Sequence, residues 1–360
     1  MRFKLILSML PMAAIASPYS LTSIISWKPA NTRAIDGSTI NNNTYYLSDL
    51  ENGIVHVVDI ASSTEIAQIS GFVGLHVVSG QVDRASSGPS GMVAVPDLIE
   101  LYVADGNGTV KIVDLKSNTI KSIISLPITK RADELGYDST HQIVAATAPN
   151  EKIPTLFFIS TNTHQIVANL TFPNSTDGIE VPSWNSQDGN WYLSVPSTVA
   201  NPGGEIVVID PKSFEILEIF AEPPCNSAGT AFGAPHSHHL FLGCSAGSLL
   251  SFNNTSSYII STSSGKVVAT VKDVVGSDQI AYSKNLNIFF ASASHNKDGD
   301  GDQKPELAVI DAERGNVVQS IVTDNVTAHA VAVDEKTNRV FVPLLEGIAV
   351  YDYHHDQTSD

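Results

Sequence analysis

The sequence predicts an all-β fold, a seven-bladed propeller of four-stranded antiparallel blades, and three observations lead to that prediction. A strand–turn–strand unit that closes on Asp or Ser recurs seven times, with closing residues 55, 46, 50, 51, 50 and 41 positions apart. Val, Ile, Tyr and Phe fill the strands, whereas Asn, Asp, Gly and Ser fill the turns. No useful amphipathic helical stretch interrupts the series. Short β-rich strands at this spacing are typical of a propeller.

The seven copies close at Asp59, Asp114, Ser160, Asp210, Ser261, Asp311 and Asp352. Shorter apolar runs lie before and after each copy, for example at 65–69 and 317–321, and bring each blade to four strands. The chain ends soon after the last copy, so blade seven lacks its outermost strand. We expect residues 22–35 to supply that strand and close the ring. If the first or last copy is spurious, six blades are the alternative.

The first 16 residues have the pattern of a secretory signal peptide. Arg2 and Lys4 give a positive start, residues 5–13 form an apolar run, and Ala14 and Ala16 are the small residues of a cleavage site. The run is shorter than the ~20 residues that cross a bilayer. We therefore expect a secreted or secretory-lumen protein. The predicted organisation is a signal peptide at 1–16, one propeller domain at 17–353 and a flexible tail at 354–360.

Composition and charge limit the class of partner. Hydrophobic residues make up 42% of the chain, enough for a large core. Acidic residues outnumber basic ones, 37 to 20, for a formal net charge of −17. Nucleic-acid binding needs clustered cations, and no basic stripe is present. We expect a small-molecule substrate and neither a nucleic-acid nor a membrane partner.

Seven N-x-S/T sequons predict N-glycosylation in that compartment, at Asn42, Asn107, Asn169, Asn174, Asn253, Asn254 and Asn325. Asn253 and Asn254 are adjacent, so we do not expect both to be modified. The two cysteines, Cys225 and Cys244, are expected to form a disulfide in an oxidising lumen; two buried free thiols are the alternative. Such a bond would brace the rim of the channel.

The repeated "V-x-V-x-D … G-x-V-V" units resemble the YVTN/YncE-type β-propellers, from about residue 45 to 352. Stretches typical of that family are GGEIVVIDPKSFEIL at Gly203–Leu217 and AHAVAVDEKTNRVFVPL at Ala328–Leu344. The resemblance implies the propeller fold. It says little about function, because propellers host many chemistries.

The innermost strands of a propeller line its central channel, and their first residues lie at the mouth. Aligned on the apolar residue before each turn, these strands share one slot that holds Asp133, Glu180, Asp278 and His329 in four blades. The slot holds Ala228 in blade five and about Gly91 in blade two. Glu134 and Gln279 follow one position later, so strand alternation turns them to the other face and makes them weaker candidates.

Four ionisable residues at one level predict a catalytic site around the axis. Like charges placed together raise at least one carboxyl pKa, and His329 can hold a proton between them. This arrangement suits general acid–base catalysis or a site for a hard metal ion. The alternative is that these side chains cap the strand starts and bind turn amides.

Other segments carry weaker signals. Residues 296–302 resemble a calcium loop, with Asp298, Asp300 and Asp302 as the alternative metal ligands, but position 12 of the EF-hand pattern is Leu307. We therefore favour a solvated hairpin loop there. His236, His238 and His239 are expected in a polar turn rather than a zinc site. The Ser- and Gly-rich stretch from Ser79 to Gly91 interrupts the repeat and is expected to cover the channel mouth.

Three functions fit these expectations. Among secreted, sequon-bearing propellers, the sequence resembles the fungal hetero-Diels–Alderases of tropolone–sesquiterpene biosynthesis. That resemblance implies acid–base dehydration of a hydroxymethyl tropolone to a quinone methide, then cycloaddition with a humulene-type alkene, without a cofactor. A second hypothesis is a lactonase of the gluconolactonase type that uses Ca²⁺, Mg²⁺ or Mn²⁺. A third is a non-catalytic binding propeller.

Overall fold

The computed structural model describes residues 17–29 and 32–354. The predicted signal peptide and residues 355–360 of the predicted tail lie outside the described residues. Seven four-stranded antiparallel sheets form the blades. The innermost strand of each blade contacts that of the next, and the last contacts the first, so the ring is closed. The seven-bladed fold is confirmed, and the six-bladed alternative is wrong.

The first part of the chain builds β1 and blades one to three. After β1 (Tyr19–Ser26), blade one contains β2 (Ile35–Asn41), β3 (Thr44–Asp49), β4 (Ile54–Asp59) and β5 (Thr64–Ser70). A small hairpin, β6 (Val77–Val78) and β7 (Gln81–Val82), and a 3₁₀ turn at Arg84–Ser86 precede blade two. Blade two contains β8 (Met92–Val95), a 3₁₀ turn at Pro96–Leu98, β9 (Glu100–Asp105), β10 (Thr109–Asp114) and β11 (Thr119–Ser125). Blade three contains β12 (Leu135–Asp138), β13 (Ile143–Ala148), β14 (Thr155–Ser160) and β15 (Gln165–Thr171).

The second part builds blades four to seven. Blade four contains β16 (Pro182–Asn185), β17 (Asn190–Val195), β18 (Glu205–Ile209) and β19 (Ile216–Ala221). Blade five contains β20 (Ser227–Phe232), β21 (His239–Cys244), a short helix α1 (Ala246–Phe252), β22 (Ser256–Ser261) and β23 (Val267–Lys272). Blade six contains β24 (Ile280–Ser283), β25 (Ile288–Ala293), β26 (Glu306–Asp311) and β27 (Val317–Val322). Blade seven contains β28 (Ala332–Val333), β29 (Val340–Leu344) and β30 (Gly347–Tyr353).

The N-terminal strand β1 closes the ring as the outermost strand of blade seven. It pairs antiparallel with β30, from Tyr19 opposite Tyr353 to Ser26 opposite Gly347. The closing strand was expected at residues 22–35, so it starts and ends earlier than predicted. A strand over 22–35 would place Pro29 in its interior, where proline cannot donate a ladder hydrogen bond. The ladder continues one residue beyond the predicted domain end, because the His354 N–H donates to Pro18 O at 2.8 Å.

Aromatic side chains pack between neighbouring blades and hold the ring together. The rings of Tyr45 and Phe341 stack at 5.0 Å between blades one and seven. Those of Phe241 and Phe289 lie 5.2 Å apart between blades five and six. All four side chains are fully buried. Burial of one such side chain stabilises the fold by roughly 1.5–3 kcal/mol, which is how a chain with one disulfide maintains a large ring.

The predicted disulfide is confirmed. Cys225 and Cys244 are bonded, with an S–S distance of 2.03 Å, and both are buried. The bond joins the segment before β20 to the end of β21, at the end of the propeller where the inner strands begin.

The sequons lie mainly on the surface, although glycosylation itself stays a prediction. Those with an exposed asparagine are Asn42, Asn107, Asn169, Asn174, Asn253 and Asn325. Asn254 is half-buried, and its Oδ1 accepts hydrogen bonds from Tyr258 Oη and Ser256 N. Of the adjacent pair, Asn253 is therefore the more accessible. None of the described helices has the length and apolar character needed to cross a bilayer.

Candidate active site in the channel mouth

A charged cavity of about 190 Å³ opens where the inner strands begin. Its lining comes from six of the seven blades and from the segment before blade two: Asp36, Arg84, Arg131, Asp133, Glu134, Glu180, Val181, Ala228, Asp278 and His329. The cavity adjoins a hollow of about 360 Å³ that shares Arg131, Asp133 and Glu180. Ionisable groups in one concave site are the usual setting for acid–base chemistry.

The structure brings all four predicted slot residues to this cavity. Asp133, Glu180 and Asp278 each lie two residues before their inner strand, and His329 lies three residues before β28. Backbone bonds continue the ladder past the strand ends and fix these positions. Asp133 N donates to Thr147 O, and Glu180 N donates to Ser194 O, both at 2.9 Å. The residues just before the innermost strands therefore lie around the central channel.

The alternative that these side chains cap strand starts is wrong. Among the hydrogen bonds of the described residues, no backbone N–H donates to the side chains of Asp133, Glu180 or Asp278. Asp133 instead binds Arg131 of its own segment, and Asp278 binds His329 of the next blade. The carboxyl of Glu180 has no hydrogen bond or ion pair with a described residue. The slot therefore carries interacting ionisable groups rather than turn caps.

Asp278 and His329 form an ion pair between blades six and seven. His329 Nε2 donates to Asp278 Oδ2 at 2.7 Å. Desolvation lowers the pKa of His329, but the Asp278 carboxylate outweighs it and raises that pKa to about 9. Desolvation likewise raises the pKa of Asp278, while the imidazolium outweighs it and holds that pKa below its ordinary value. The pair is thus imidazolium and carboxylate at neutral pH.

A second cation–carboxylate group lies on the blade-one to blade-three side. Arg131 Nη2 binds Asp133 Oδ2 at 2.5 Å, and its Nη1 reaches Asp36 Oδ2 at 3.4 Å. Burial raises the pKa of Asp133 to about 6; Arg131 opposes that rise, and Asp36 adds to it. Both carboxyl groups are nearly fully buried, with side chains 4% and 8% exposed. Arg131 is therefore the charge that permits two acidic side chains to be buried together.

Glu134 and Glu180 lie in an environment that favours the protonated form of a carboxyl group. Desolvation at the channel wall raises the pKa of each well above its usual range. Repulsion from Asp133 adds to the rise for both residues. Neither carboxyl binds a described residue, so both groups can interact with a ligand. The cavity consequently places two carboxyl groups of raised pKa beside an ionised base.

The expectation that Glu134 faces away from the charged cavity is wrong, whereas Gln279 is not part of the lining of that cavity. Both residues precede their strands, which start at Leu135 and Ile280. Glu134 lines the cavity. Gln279 Oε1 lies deeper in the channel and accepts bonds from Ser38 Oγ at 3.0 Å and Val331 N at 3.3 Å. Gln279 thereby ties blade six to blades one and seven.

Four residues of the site were not predicted from the sequence: Asp36, Arg84, Arg131 and His295. Asp36 occupies the same slot in blade one, but the register shift between Ile35 and Ser38 disguised the alignment. His295 follows β25, and its ring lies 6.1 Å from that of His329. Desolvation and the charge of His329 keep the pKa of His295 below its ordinary value. The repeat pattern carries no signal for Arg84 or His295, because both lie outside the blade strands.

The segment before blade two reaches the channel mouth, as expected for residues 79–91. Its hairpin and 3₁₀ turn place Arg84 on the cavity wall. Arg131 N donates to Ala85 O at 2.8 Å, and Lys130 Nζ lies 3.5 Å from Asp83 Oδ2. These contacts attach the segment to the approach of blade three.

Two groups of side chains have the atoms to hold a metal ion. The ligand atoms of Asp36, Asp133 and Glu134 lie within 4.8 Å of one another, as do those of Asp278, His295 and His329. In the first group the guanidinium of Arg131 already takes the place of a cation. In the second, His329 Nε2 carries the proton that it donates to Asp278, so this nitrogen has no lone pair for a metal ion while the ion pair is intact. We assign neither group as a metal site.

The other candidate ligands lie in turns. Asp298 Oδ1 accepts the N–H groups of Asp300 and Asp302, both at 3.0 Å, within the exposed loop between β25 and β26. This carboxylate thus stabilises its own hairpin turn. His236 and His238 lie in the turn between β20 and β21, and His239 begins β21. That turn is at the opposite end of the propeller from the charged cavity.

Comparison with known proteins supports the fold alone. No family model matches the chain, and no curated protein matches it. Many solved structures are similar, among them the structure of U3-55K, with a TM-score of 0.68 at 9% sequence identity. The alignment covers 94% of this chain and 99% of U3-55K. At this identity the likeness shows the propeller architecture and says nothing of activity.

Proposed function

We propose that the protein is an enzyme that carries out acid–base chemistry on a small molecule in the channel mouth. One observation carries the proposal: Glu134 and Glu180, whose carboxyl pKa values are raised by burial, share a cavity with the ion pair of Asp278 and His329. Acids and bases whose environments push their pKa values apart are a mark of catalytic sites. A binding propeller has no need of neutral acids beside an ionised base, so the non-catalytic alternative is less favoured.

Dehydration is the reaction that this set of groups serves best. Glu180 donates its proton to a leaving hydroxyl as the C–O bond breaks, and the Asp278 carboxylate accepts the proton of a second, ring-bound hydroxyl. The electron pair of that O–H bond moves through the conjugated ring to replace the broken bond, and water leaves. The proton on Asp278 then returns to Glu180 through solvent, so the site is reset without a redox change.

The family resemblance makes the proposal more specific, as a hetero-Diels–Alderase. Dehydration of a hydroxymethyl tropolone gives a quinone methide, whose O=C–C=C unit adds an alkene with two new σ bonds and no proton transfer. A cavity of about 110 Å³ deeper in the channel offers space for a second reactant. It shares Glu134 and Asp278 with the charged cavity, and its lining combines polar side chains such as Thr230 and Gln279 with apolar ones such as Val331. A lining of mixed polarity can hold two unlike reactants side by side.

The test is to incubate purified protein with a hydroxymethyl tropolone and a humulene-type alkene. The proposal predicts faster consumption of the tropolone and a single stereoisomer of the adduct. A product ratio equal to that without protein would reject the hetero-Diels–Alderase assignment. Water loss without adduct formation would retain acid–base dehydration and reject only the cycloaddition.

A metal-dependent lactonase is the second candidate, favoured by the closeness of Asp36, Asp133 and Glu134. It ranks lower because Arg131 already neutralises these groups. Lactone hydrolysis that is lost on chelation and restored by Ca²⁺ or Mg²⁺ would reverse this order. Secretion and glycosylation remain part of the proposal as sequence-based expectations.

A further inference from the structure

Arg84 is an exposed arginine without a close anionic partner, although its charge acts on Asp278 and helps to lower the pKa of that carboxyl. Arg131, Arg314 and Arg339 each bind a carboxylate. The guanidinium of Arg84 lines the charged cavity, yet it makes no hydrogen bond or ion pair with a described residue. A guanidinium carries five N–H donors in a planar fork that matches a carboxylate or a pair of neighbouring oxygens.

The backbone that carries Arg84 is firmly attached. Asp83 precedes the 3₁₀ turn, and its carboxylate accepts Ser86 Oγ at 3.0 Å and Lys130 Nζ at 3.5 Å. Ser87 N donates to Arg84 O at 3.2 Å, and Ser87 Oγ donates to Asp83 O at 2.9 Å. These bonds hold the backbone of Arg84 in place, and its long side chain extends from this backbone to the cavity.

The nearby carboxyl groups do not satisfy Arg84. Asp278 is bound to His329, while Asp36 and Asp133 are bound to Arg131. Burial raises the pKa of the remaining acids of the cavity, Glu134 and Glu180, which disfavours a negative charge on either. The donors of the Arg84 guanidinium are therefore open to an anionic ligand that enters the cavity.

We propose that Arg84 is the specificity-determining residue of the channel mouth and binds an anionic oxygen group of the substrate, so that the site selects small organic monoanions. This inference rests on the proposed function, since it names the substrate class of the same cavity. Arg84 holds the anion at the wall, and the acids and the base then act on the remainder of the molecule. A hydrogen bond to a charged group contributes about 1.5–3 kcal/mol, which sets the scale of the selectivity.

The test measures binding without turnover, with 2-naphthoate and its neutral analogue 2-naphthamide as probes at low salt and about pH 7. Wild-type protein is expected to bind the anion about tenfold or more tightly than the amide. In Arg84→Gln the affinity for the anion falls to that for the amide, the affinity for the amide stays unchanged, and Arg84→Lys recovers part of the preference. Arg314→Gln, at the opposite end of the propeller, is the matched control and retains the wild-type preference.

Equal affinities of wild-type protein for the two probes, or an anion preference that survives in Arg84→Gln, would overturn the inference. Thermal unfolding of each variant separates loss of binding from loss of fold, and Arg84→Lys keeps the test valid if Arg84→Gln unfolds. Because no reaction is measured, the result is distinct from that of the proposed function. An Arg84-dependent anion preference in a protein without dehydratase activity would reject the function and retain the anion site.

Discussion

His329 and Asp278 come from different blades, yet His329 Nε2 lies 2.7 Å from Asp278 Oδ2 at the wall of the channel. The contact depends on the packing of blade six against blade seven, because β24 and β28 must lie side by side for the two segments before them to meet. The pair gives the site an ionised base at neutral pH.

Glu180→Gln removes the acid proton that we assign to the leaving hydroxyl and keeps the size of the side chain. We expect dehydration to slow by about 10²–10⁴-fold, the usual contribution of a general acid. Initial rates of tropolone consumption measure the effect. Glu218→Gln, on the exposed outer strand β19, is the matched control. A rate in Glu180→Gln equal to that of the control would contradict the assignment.

The ion pair of His329 and Asp278 predicts how stability varies with pH. The folded-state pKa of His329 is raised from 6.5 to about 9, so its contribution is full below pH 6.5 and is lost as pH rises through about 9. The folded-state pKa of Asp278 is lowered, so its contribution is present above its unfolded value and is lost in acid. The Tm difference between wild type and His329→Gln is therefore expected to shrink from pH 6.5 to above 9. A difference that grows over this range would contradict the ion pair.

Arg131→Met leaves Asp36 and Asp133 buried without their cation. Removing one partner of a buried ion pair typically costs about 3–5 kcal/mol, and urea unfolding at about pH 7 measures the loss. Burial raises the pKa of Asp133 to about 6 even with Arg131 present, so the destabilisation should be smaller at about pH 5, where this group takes up a proton. Adding Asp133→Asn to Arg131→Met should recover part of the loss; no recovery would mean that Arg131 acts mainly by packing.

The disulfide is expected to stabilise the fold without taking part in the reaction. The bonded cysteines are 19 residues apart, and closing a loop of this length in the unfolded chain contributes about 3 kcal/mol. The double variant Cys225→Ala, Cys244→Ala should lose about that much free energy of unfolding and retain its rate per folded molecule. Dithiothreitol should weaken wild type and leave the double variant unchanged; equal weakening of both would point to another cause.

Chelation separates the two candidate enzymes. Because Arg131 neutralises the carboxyl groups nearest to it, dehydration is expected to proceed at the same rate after exhaustive treatment with EDTA. Rates before and after chelation, and after adding Ca²⁺ or Mg²⁺, measure this. Loss of the rate with EDTA and recovery with either ion would instead indicate a metal centre among the residues of the cavity.

The sequence repeat was sufficient to predict most of the fold and part of the candidate site. Strand composition and the spacing of the closing Asp and Ser residues predicted seven blades, because each blade solves the same packing problem. The slot residues followed from that register, and the structure places Asp133, Glu180, Asp278 and His329 on one cavity. The closing strand was misplaced, because an outer strand at the sheet edge has a weak pattern and is bounded mainly by Pro18 and Pro29.

The two arginines of the site could not be predicted from the sequence, for a physical reason. Arg84 lies in an insertion, and Arg131 lies just before the slot, where no strand periodicity orients a side chain. Glu134 was assigned to the wrong face for the same reason. Long-range pairing, such as that of Arg131 with Asp36, arises only when separate blades close around the axis, so no local pattern in the sequence reports it.

The proposed mechanism requires neutral carboxylic acids beside an ionised base, and a carboxyl-carbon NMR titration of Glu-labelled protein measures this directly. We expect the resonance that is absent from Glu134→Gln and the one that is absent from Glu180→Gln to remain in the protonated form at about pH 7. The resonance of Glu222, away from the cavity lining, behaves similarly because burial raises the pKa of that residue to about 8. If the resonances removed by these substitutions titrate near the ordinary value of 4.5, both groups are carboxylates at neutral pH, and the proposed acid–base mechanism is wrong.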